Sequence, residues 1–253
     1  LLLLALIIRS TGLNNKVIIA LLLLAPATIG NTTYWGQVDA IPSLLSLLAL
    51  SMLVTPKTLS TKSTMLSALF YGLAVAYKPI MLLISPILWI VAIKKKQAWQ
   101  FPLVSGTIFF LTALPFVKMP WEVISFMYSR AVEQAGTYPY LSINAWNLWT
   151  ITGNISWVPD NLTLLGISGH AFGLFLFFTS LFLIFKSWFR IGFDPKLSYQ
   201  LSALVLVIFY TVTSRMHERH LLFGLPFLII ALINNPKLIS HYIILSFCYI
   251  LNL

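Results

Sequence analysis

Short basic breaks cut most of this chain into apolar runs: residues 17–30, 40–54, 64–93, 101–117, 167–185, 197–214, 221–233 and 239–253. In a bilayer every backbone N–H and C=O must be satisfied within the protein, so apolar runs of this kind fold as helices packed on helices. Composition agrees: the chain is 59% hydrophobic and only 9% charged, against about a quarter charged in soluble domains. The expected fold is all-α, a polytopic transmembrane helical bundle forming one domain over residues 1–253. Residues 1–8 are shorter than the roughly 20 needed to cross hydrocarbon, and the chain stops inside an apolar run. It is therefore expected to be a fragment whose first helix begins upstream of Leu1.

Run 64–93 decides the topology. As one helix it would put Lys57 and Lys62 on the opposite side of the membrane from Lys94, Lys95 and Lys96. Lys78-Pro79 lies in its middle, and proline breaks a helix interior and disfavours helical geometry in the residue before it. Two half-helices joined at Lys78-Pro79 bring both basic loops to one face. That face then collects Arg9, Lys16, Lys57, Lys62, Lys94, Lys95, Lys96, Lys186, Arg190, Lys196 and Lys237, which is eleven of the sixteen basic residues, with Asp194 as its one carboxylate. Such a bias marks the cytoplasmic side. The net charge of +10 is thereby assigned to membrane orientation, and no nucleic-acid partner is expected. Asp39, Glu122, Glu133, Asp160 and Glu218 fall outside, with Lys78, Lys118, Arg130, Arg215 and Arg219.

The long external region, residues 118–166, is expected to hold an interfacial helix. Residues 121–132 place Val123, Ile124, Met127, Tyr128 and Ala131 at amphipathic helical spacing. Tyr138, Tyr140, Trp146 and Trp149 suit an interfacial aromatic belt. They suit equally a wall for a sugar ring, with Asn144 and Asn147 as hydroxyl partners. Asn31, Asn154 and Asn161 head glycosylation sequons.

The densest group of ionisable side chains is Arg215-Met216-His217-Glu218-Arg219-His220, set between two apolar runs. Charge at the edge of a span is costly and marks a substrate path or active site, unless the basic residues only snorkel. If the cluster opens the next helix, Arg215 and Arg219 share one face above free backbone N–H groups, a setting for phosphate. Asp39 stands before run 40–54 either as an N-cap or as a carboxylate that orients or deprotonates a hydroxyl, with Gln37 beside it. Lys78 is a phosphate partner or a snorkelling residue. His170 has no partner in sequence and reads as structural. No His-Glu-x-x-His spacing, glycine-rich phosphate loop or dinucleotide fingerprint occurs, and the single Cys248 allows no disulfide. Neither metal nor cofactor is expected.

Four stretches together resemble a known family: Tyr34-Trp35-Gly36-Gln37-Val38-Asp39-Ala40, Ala76-Tyr77-Lys78-Pro79, Asn144-Ala145-Trp146-Asn147, and Arg215-Met216-His217-Glu218-Arg219-His220-Leu221-Leu222. They resemble bacterial and archaeal GT-C glycosyltransferases, and within these the mannosyltransferases related to the enzyme adding the second mannose of the GPI anchor (the PIG-V-like group). The resemblance implies a multi-pass, inverting transferase of the plasma membrane. It would move a sugar from a polyprenyl-phosphate donor to a lipid-linked or protein acceptor on the external face. Asp39, Glu218 and His217 would then be the catalytic residues. Gln37, Lys78, Asn144, Trp146, Asn147, Arg215, Arg219 and His220 would bind substrate. The family also places a catalytic acid after its first membrane helix, here upstream of Leu1, and has Tyr where this chain has His220. Two other classes share parts of the pattern: an O-antigen polymerase or ligase, and a flippase or transporter for a lipid-linked sugar. A transporter should show inverted repeats and polar groups at the midplane, whereas here the polar groups gather at one face.

Overall fold

A computed structural model describes residues 2–11, 15–34, 36–56, 60–152, 157–164 and 166–253. Trp35, Lys57 and the Asn154 sequon lie outside the described residues. Among the described residues the fold is all-α, with four two-residue strands that no sequence periodicity predicts. Its α-helices are α1 (Leu2–Thr11), α2 (Lys16–Leu23), α3 (Pro26–Ile29), α4 (Ala40–Val54), α5 (Thr61–Tyr77), α6 (Ser85–Lys94), α7 (Gln100–Ala113), α8 (Val123–Gly136), α9 (Gly169–Ile191), α10 (Leu197–Val212), α11 (Leu225–Ala231) and α12 (Ile239–Asn252). Among the described residues two stretches are long and apolar enough to cross a membrane, Lys16–Thr33 and Gly169–Ile191, and a third counts if the bent pair formed by α7 and α8 is one span. The other apolar helices are shorter than that.

The expected break at Lys78-Pro79 is present. α5 ends at Tyr77, Lys78 is extended (φ −144°, ψ 110°), and a 3-10 turn over Pro79–Ile84 leads into α6. The chain reverses there. The Tyr71 hydroxyl donates to the Met81 carbonyl at 2.9 Å and also bonds the Ser85 hydroxyl; an unbroken helix would hold Tyr71 and Ser85 about 21 Å apart. At the far end of the hairpin, Lys95 Nζ donates to the Val54 carbonyl at 2.9 Å and to that of Pro56. Lys95 therefore sits beside the end of α4, and Lys78 is at the opposite end of the bundle.

α4 is the central helix, with Leu47, Leu48, Leu50 and Leu53 all buried. It is tied to its neighbours by buried hydroxyls: Ser43 donates to the Phe223 carbonyl at 2.9 Å, and Ser67 of α5 donates to the Ala49 carbonyl at 2.7 Å. Between membrane helices such close packing, rather than release of water, supplies the attraction. α5 and α7 approach through Gly72, where a Cβ would lie 2.7 Å from the Ser105 carbonyl oxygen.

Two expectations are corrected here. Run 221–233 is not one helix: a 3-10 segment over Glu218–Gly224 precedes the seven-residue α11. Asn31 is fully buried, its amide donating to the Tyr249 hydroxyl at 2.8 Å. A side chain so placed cannot carry a glycan. Asn161, by contrast, is exposed.

Candidate active site

Asp39 sits at the N-cap position of α4, yet its side chain makes no capping bond. Gly36, with φ 63°, takes the left-handed turn that glycine permits, and the Gln37 N–H donates to the Asn31 carbonyl at 3.0 Å. This turn brings the chain into α4 with the Asp39 carboxylate pointing into the protein. There one oxygen contacts the Lys78 ammonium, and the other lies 3.6 Å from Arg219 Nε. The break between α5 and α6 is what places Lys78 here, with its ammonium also 5.6 Å from the centre of the Phe223 ring. Asp39 itself is fully buried.

The Arg215–His220 cluster does not open a helix in the way expected. Arg215 adopts left-handed backbone (φ 64°), a conformation that costs a non-glycine residue roughly 1–3 kcal/mol and clusters at functional sites. Strand β4 (Met216–His217) follows and pairs in parallel with β1 (Ser142–Ile143), and helical geometry begins only at Glu218. Arg215 and Arg219 are thereby given different partners. Arg215 Nε donates to Asp160 Oδ2 at 2.6 Å, while Arg219 meets Asp39 and, at 3.3 Å, Glu218 Oε1. The physical reason is the pairing of β4 with β1, which holds 216–217 extended. The short strands β2 (Thr163–Leu164) and β3 (Ile167–Ser168) turn the chain between Asp160 and α9.

Glu218 is buried, and its Oε2 lies 3.9 Å from His217 Nδ1. Burial, with Arg219 and Lys78 close by, pushes the His217 pKa down to about 4. The ring is therefore neutral at pH 7. Tyr138 meets it edge-on, 5.0 Å between centroids. His220 caps locally: its Nδ1 accepts the His217 N–H at 3.3 Å, and its ring stacks on Phe223. The nitrogen so engaged is closed to substrate.

The Asn144–Asn147 stretch is only partly a sugar wall. Asn147 is buried and holds backbone together, donating to the Tyr210 and Thr213 carbonyls at 3.4 Å each and accepting the Trp149 N–H at 3.1 Å. Asn144, left-handed at φ 57°, bridges to His217 through its backbone, and its side chain is exposed. Trp146 is half exposed, with its N–H on Asn252 at 2.9 Å. Asn144 thus stands beside the ionic cluster, and Trp146 stands towards the end of α12.

Asn252 carries no signal in the sequence, while Asp160 is read there only as one of the external carboxylates and Tyr138 only as part of an aromatic belt or sugar wall. Asp160 had one available signal. With six carboxylates in the chain, a charged Arg215 at the edge of an apolar run demanded one of them. His170, without a partner in the sequence, meets Ser214 and Asp160 in the fold. Its Nδ1 lies 2.8 Å from the Ser214 hydroxyl and 3.7 Å from Asp160. Serine and carboxylate meet the same nitrogen, which is not the arrangement of a nucleophilic triad. Among the described residues no three His, Cys, Asp or Glu side chains converge as metal ligands would.

The electrostatic arrangement is consistent across the site. Lys78, Arg215 and Arg219 keep 28%, 26% and 24% of their side chains exposed, while the paired Asp39, Asp160 and Glu218 keep 0%, 6% and 5%. The cations are the more exposed members of these pairs, and the carboxylates stand behind them. Such a surface can take an anion, and the carboxylates can take a proton from a neutral group seated next to it. Comparison with protein families, curated proteins and solved structures gives no match to this chain.

Proposed function

We propose that this chain belongs to a polytopic membrane glycosyltransferase of GT-C type. It moves a sugar, mannose in the first instance, from a polyprenyl-phosphate donor to a lipid-linked or protein acceptor on the extracytoplasmic face, with inversion. One observation carries the reading. Asp39, Lys78 and Glu218-Arg219, from three stretches far apart in sequence that bear the family resemblance, meet in a single ion-paired cluster. The hairpin at Lys78 and the short α4 and α10 fit half-spans lining a cavity, and the basic loops at the Lys95 end fit the cytoplasmic side.

In this mechanism the donor phosphate lies against the exposed ends of Lys78 and Arg219. The acceptor hydroxyl approaches the opposite face of the sugar, and its oxygen bonds to the anomeric carbon as the carbon–oxygen bond to phosphate breaks. The proton passes by way of an intervening water to a carboxylate, Asp39 or Glu218, and the polyprenyl phosphate leaves with the electron pair. Charge developing on the leaving phosphate is stabilised by the two cations, the interaction that grows most towards the transition state. As Asp39 gains its proton, Lys78 loses its counter-charge, so proton transfer strengthens the cationic hold on phosphate. Neutral His217 orients through Glu218 and Tyr138.

The test is transfer of labelled mannose from polyprenyl-phosphate-mannose by vesicles containing the full-length protein, beside Asp39→Asn and Glu218→Gln at matched protein levels. A loss of roughly 10²–10⁴-fold is expected where the carboxylate is the base. Full activity in both variants would remove these carboxylates from the chemistry. A lipid-linked-sugar flippase is the second reading, favoured by the broken α5–α6 hairpin, since transporters build sites from interrupted helices. Sugar lipid that crosses the bilayer without any transfer would establish it.

A further inference from the structure

α7 and α8 are joined by a bend of 113°. If α7 stands along the membrane normal, α8 lies 23° from the membrane plane (113° less a right angle), close to the average tilt of about 20° for spanning helices. The bend is fixed chemically. Pro115 and Pro120 bracket it, and Glu122 Oε2 accepts the Lys118 and Met119 N–H groups at 3.1 Å each, closing the start of the new helix. Phe116 and Phe126 stack across the bend at 6.1 Å.

α8 then presents two stripes of opposite character. Ile124, Tyr128 and Val132 follow one another at four-residue spacing and are 74%, 71% and 54% exposed, with Trp121 one turn earlier at 75%. Ser125, Ser129 and Glu133 form the parallel stripe 100° round the helix. Among the described side chains of this helix Val123 alone is buried against the protein. An apolar stripe this exposed beside a wholly polar one is built for a boundary between oil and water. Arg130 and Glu133, ion-paired at 2.8 Å and both more than half exposed, would be costly in hydrocarbon. They keep the helix at the surface. Trp121 and Tyr128 are the residue types that anchor at headgroup depth.

We infer that α8 is seated on the lipid surface, its Trp121–Ile124–Tyr128–Val132 stripe set among the headgroups and its Ser125–Ser129–Glu133 stripe in water. The occupant of this face is the bilayer. The apolar surface of α9, with Phe175, Phe178 and Phe182 exposed, is the kind of surface that meets lipid in a spanning helix. Two residues after α8 ends at Gly136, Tyr138 meets His217. The membrane surface thus sets the position of a side chain in the ionic cluster. This inference rests on the membrane placement proposed above and not on the transferase chemistry.

The experiment uses the full chain in nanodiscs of phosphatidylcholine and phosphatidylglycerol. Cys248, the single and exposed cysteine, is replaced by serine. An environment-sensitive fluorophore is then placed singly at Ile124→Cys, Tyr128→Cys and Val132→Cys, and at Ser125→Cys, Ser129→Cys and Glu133→Cys. All six positions are exposed, so labelling leaves the packing intact, and circular dichroism checks this. Lipids brominated near the headgroup are expected to quench the first trio several-fold more than the second, and aqueous iodide the reverse. Equal iodide quenching of both trios would overturn the inference. So would a first trio shielded from both quenchers, which signifies a protein partner such as a second copy, or quenching strongest with bromine at the chain ends, which signifies re-entry. Failure of the chain to enter nanodiscs at all would instead overturn the membrane placement.

Discussion

Asp39 and Lys78 form a buried carboxylate–ammonium contact that joins the turn before α4 to the break between α5 and α6. Its consequences for stability and for chemistry are separable. Asp39→Asn leaves the partly exposed Lys78 without its counter-charge and is expected to cost about 1–3 kcal/mol, whereas Asp39→Leu with Lys78→Met should recover most of that loss. Denaturant unfolding in detergent measures it. Transfer activity should stay absent in the double variant, because a leucine accepts no proton. Activity restored together with stability would make the pair a structural tie.

His217 predicts a pH dependence. Its pKa is about 4 in the folded protein and about 6.5 in an unfolded chain. Between those values the unfolded chain binds a proton that the folded protein does not. The His217 contribution is therefore complete above about pH 6.5, declines as pH falls towards 4, and levels off below. The thermal midpoint of wild type should fall relative to that of His217→Gln between about pH 6.5 and about pH 4, with a constant difference on either side of that window. Parallel pH curves would contradict this.

Asn252 fastens α12 to α10 and to the stretch that follows α8. It accepts from the Trp146 N–H and the Tyr210 hydroxyl, both at 2.9 Å, and donates to the Asn144 carbonyl at 2.6 Å. Asn252→Ala should cost roughly 1–3 kcal/mol and accelerate amide hydrogen exchange at Trp146 before it does so in α10. Exchange that quickens everywhere at once would show global loosening instead.

Two glycines on facing helices should respond oppositely to alanine. A Cβ at Gly72 would lie 2.7 Å from the Ser105 carbonyl oxygen and 2.8 Å from the Ile108 Cβ, while one at Gly106 meets nothing within 4 Å. Gly72→Ala is expected to destabilise by about 1–3 kcal/mol through overpacking. Gly106→Ala is expected to be neutral or to stabilise by up to about 1 kcal/mol through helix propensity. Unfolding curves of the two variants, taken side by side, check the contrast.

The sequence by itself determined the helical class, the break at Lys78-Pro79, the amphipathic helix after Trp121 and the concentration of charge at Arg215–His220. Each follows from local chemistry: apolar runs without polar interruption, a proline in a helix interior, four-residue periodicity, and charge beside oil. Only the tertiary structure decided which charges meet. From sequence, Arg215 and Arg219 belong on one helical face. In the fold, β4 pairs with β1, holds 216–217 extended, and sends Arg215 to Asp160 and Arg219 to Asp39 and Glu218. Asn147 and His220, which resembled substrate ligands, are taken up by backbone partners for the same reason. A strand of two residues carries no periodicity to read, and a salt bridge between distant segments is set by where the chain returns. Local sequence specified the helices and the polar positions, and the packing of α4 against the hairpin and the Glu218–Gly224 turn gathered Asp39, Lys78 and Arg219 into one cluster.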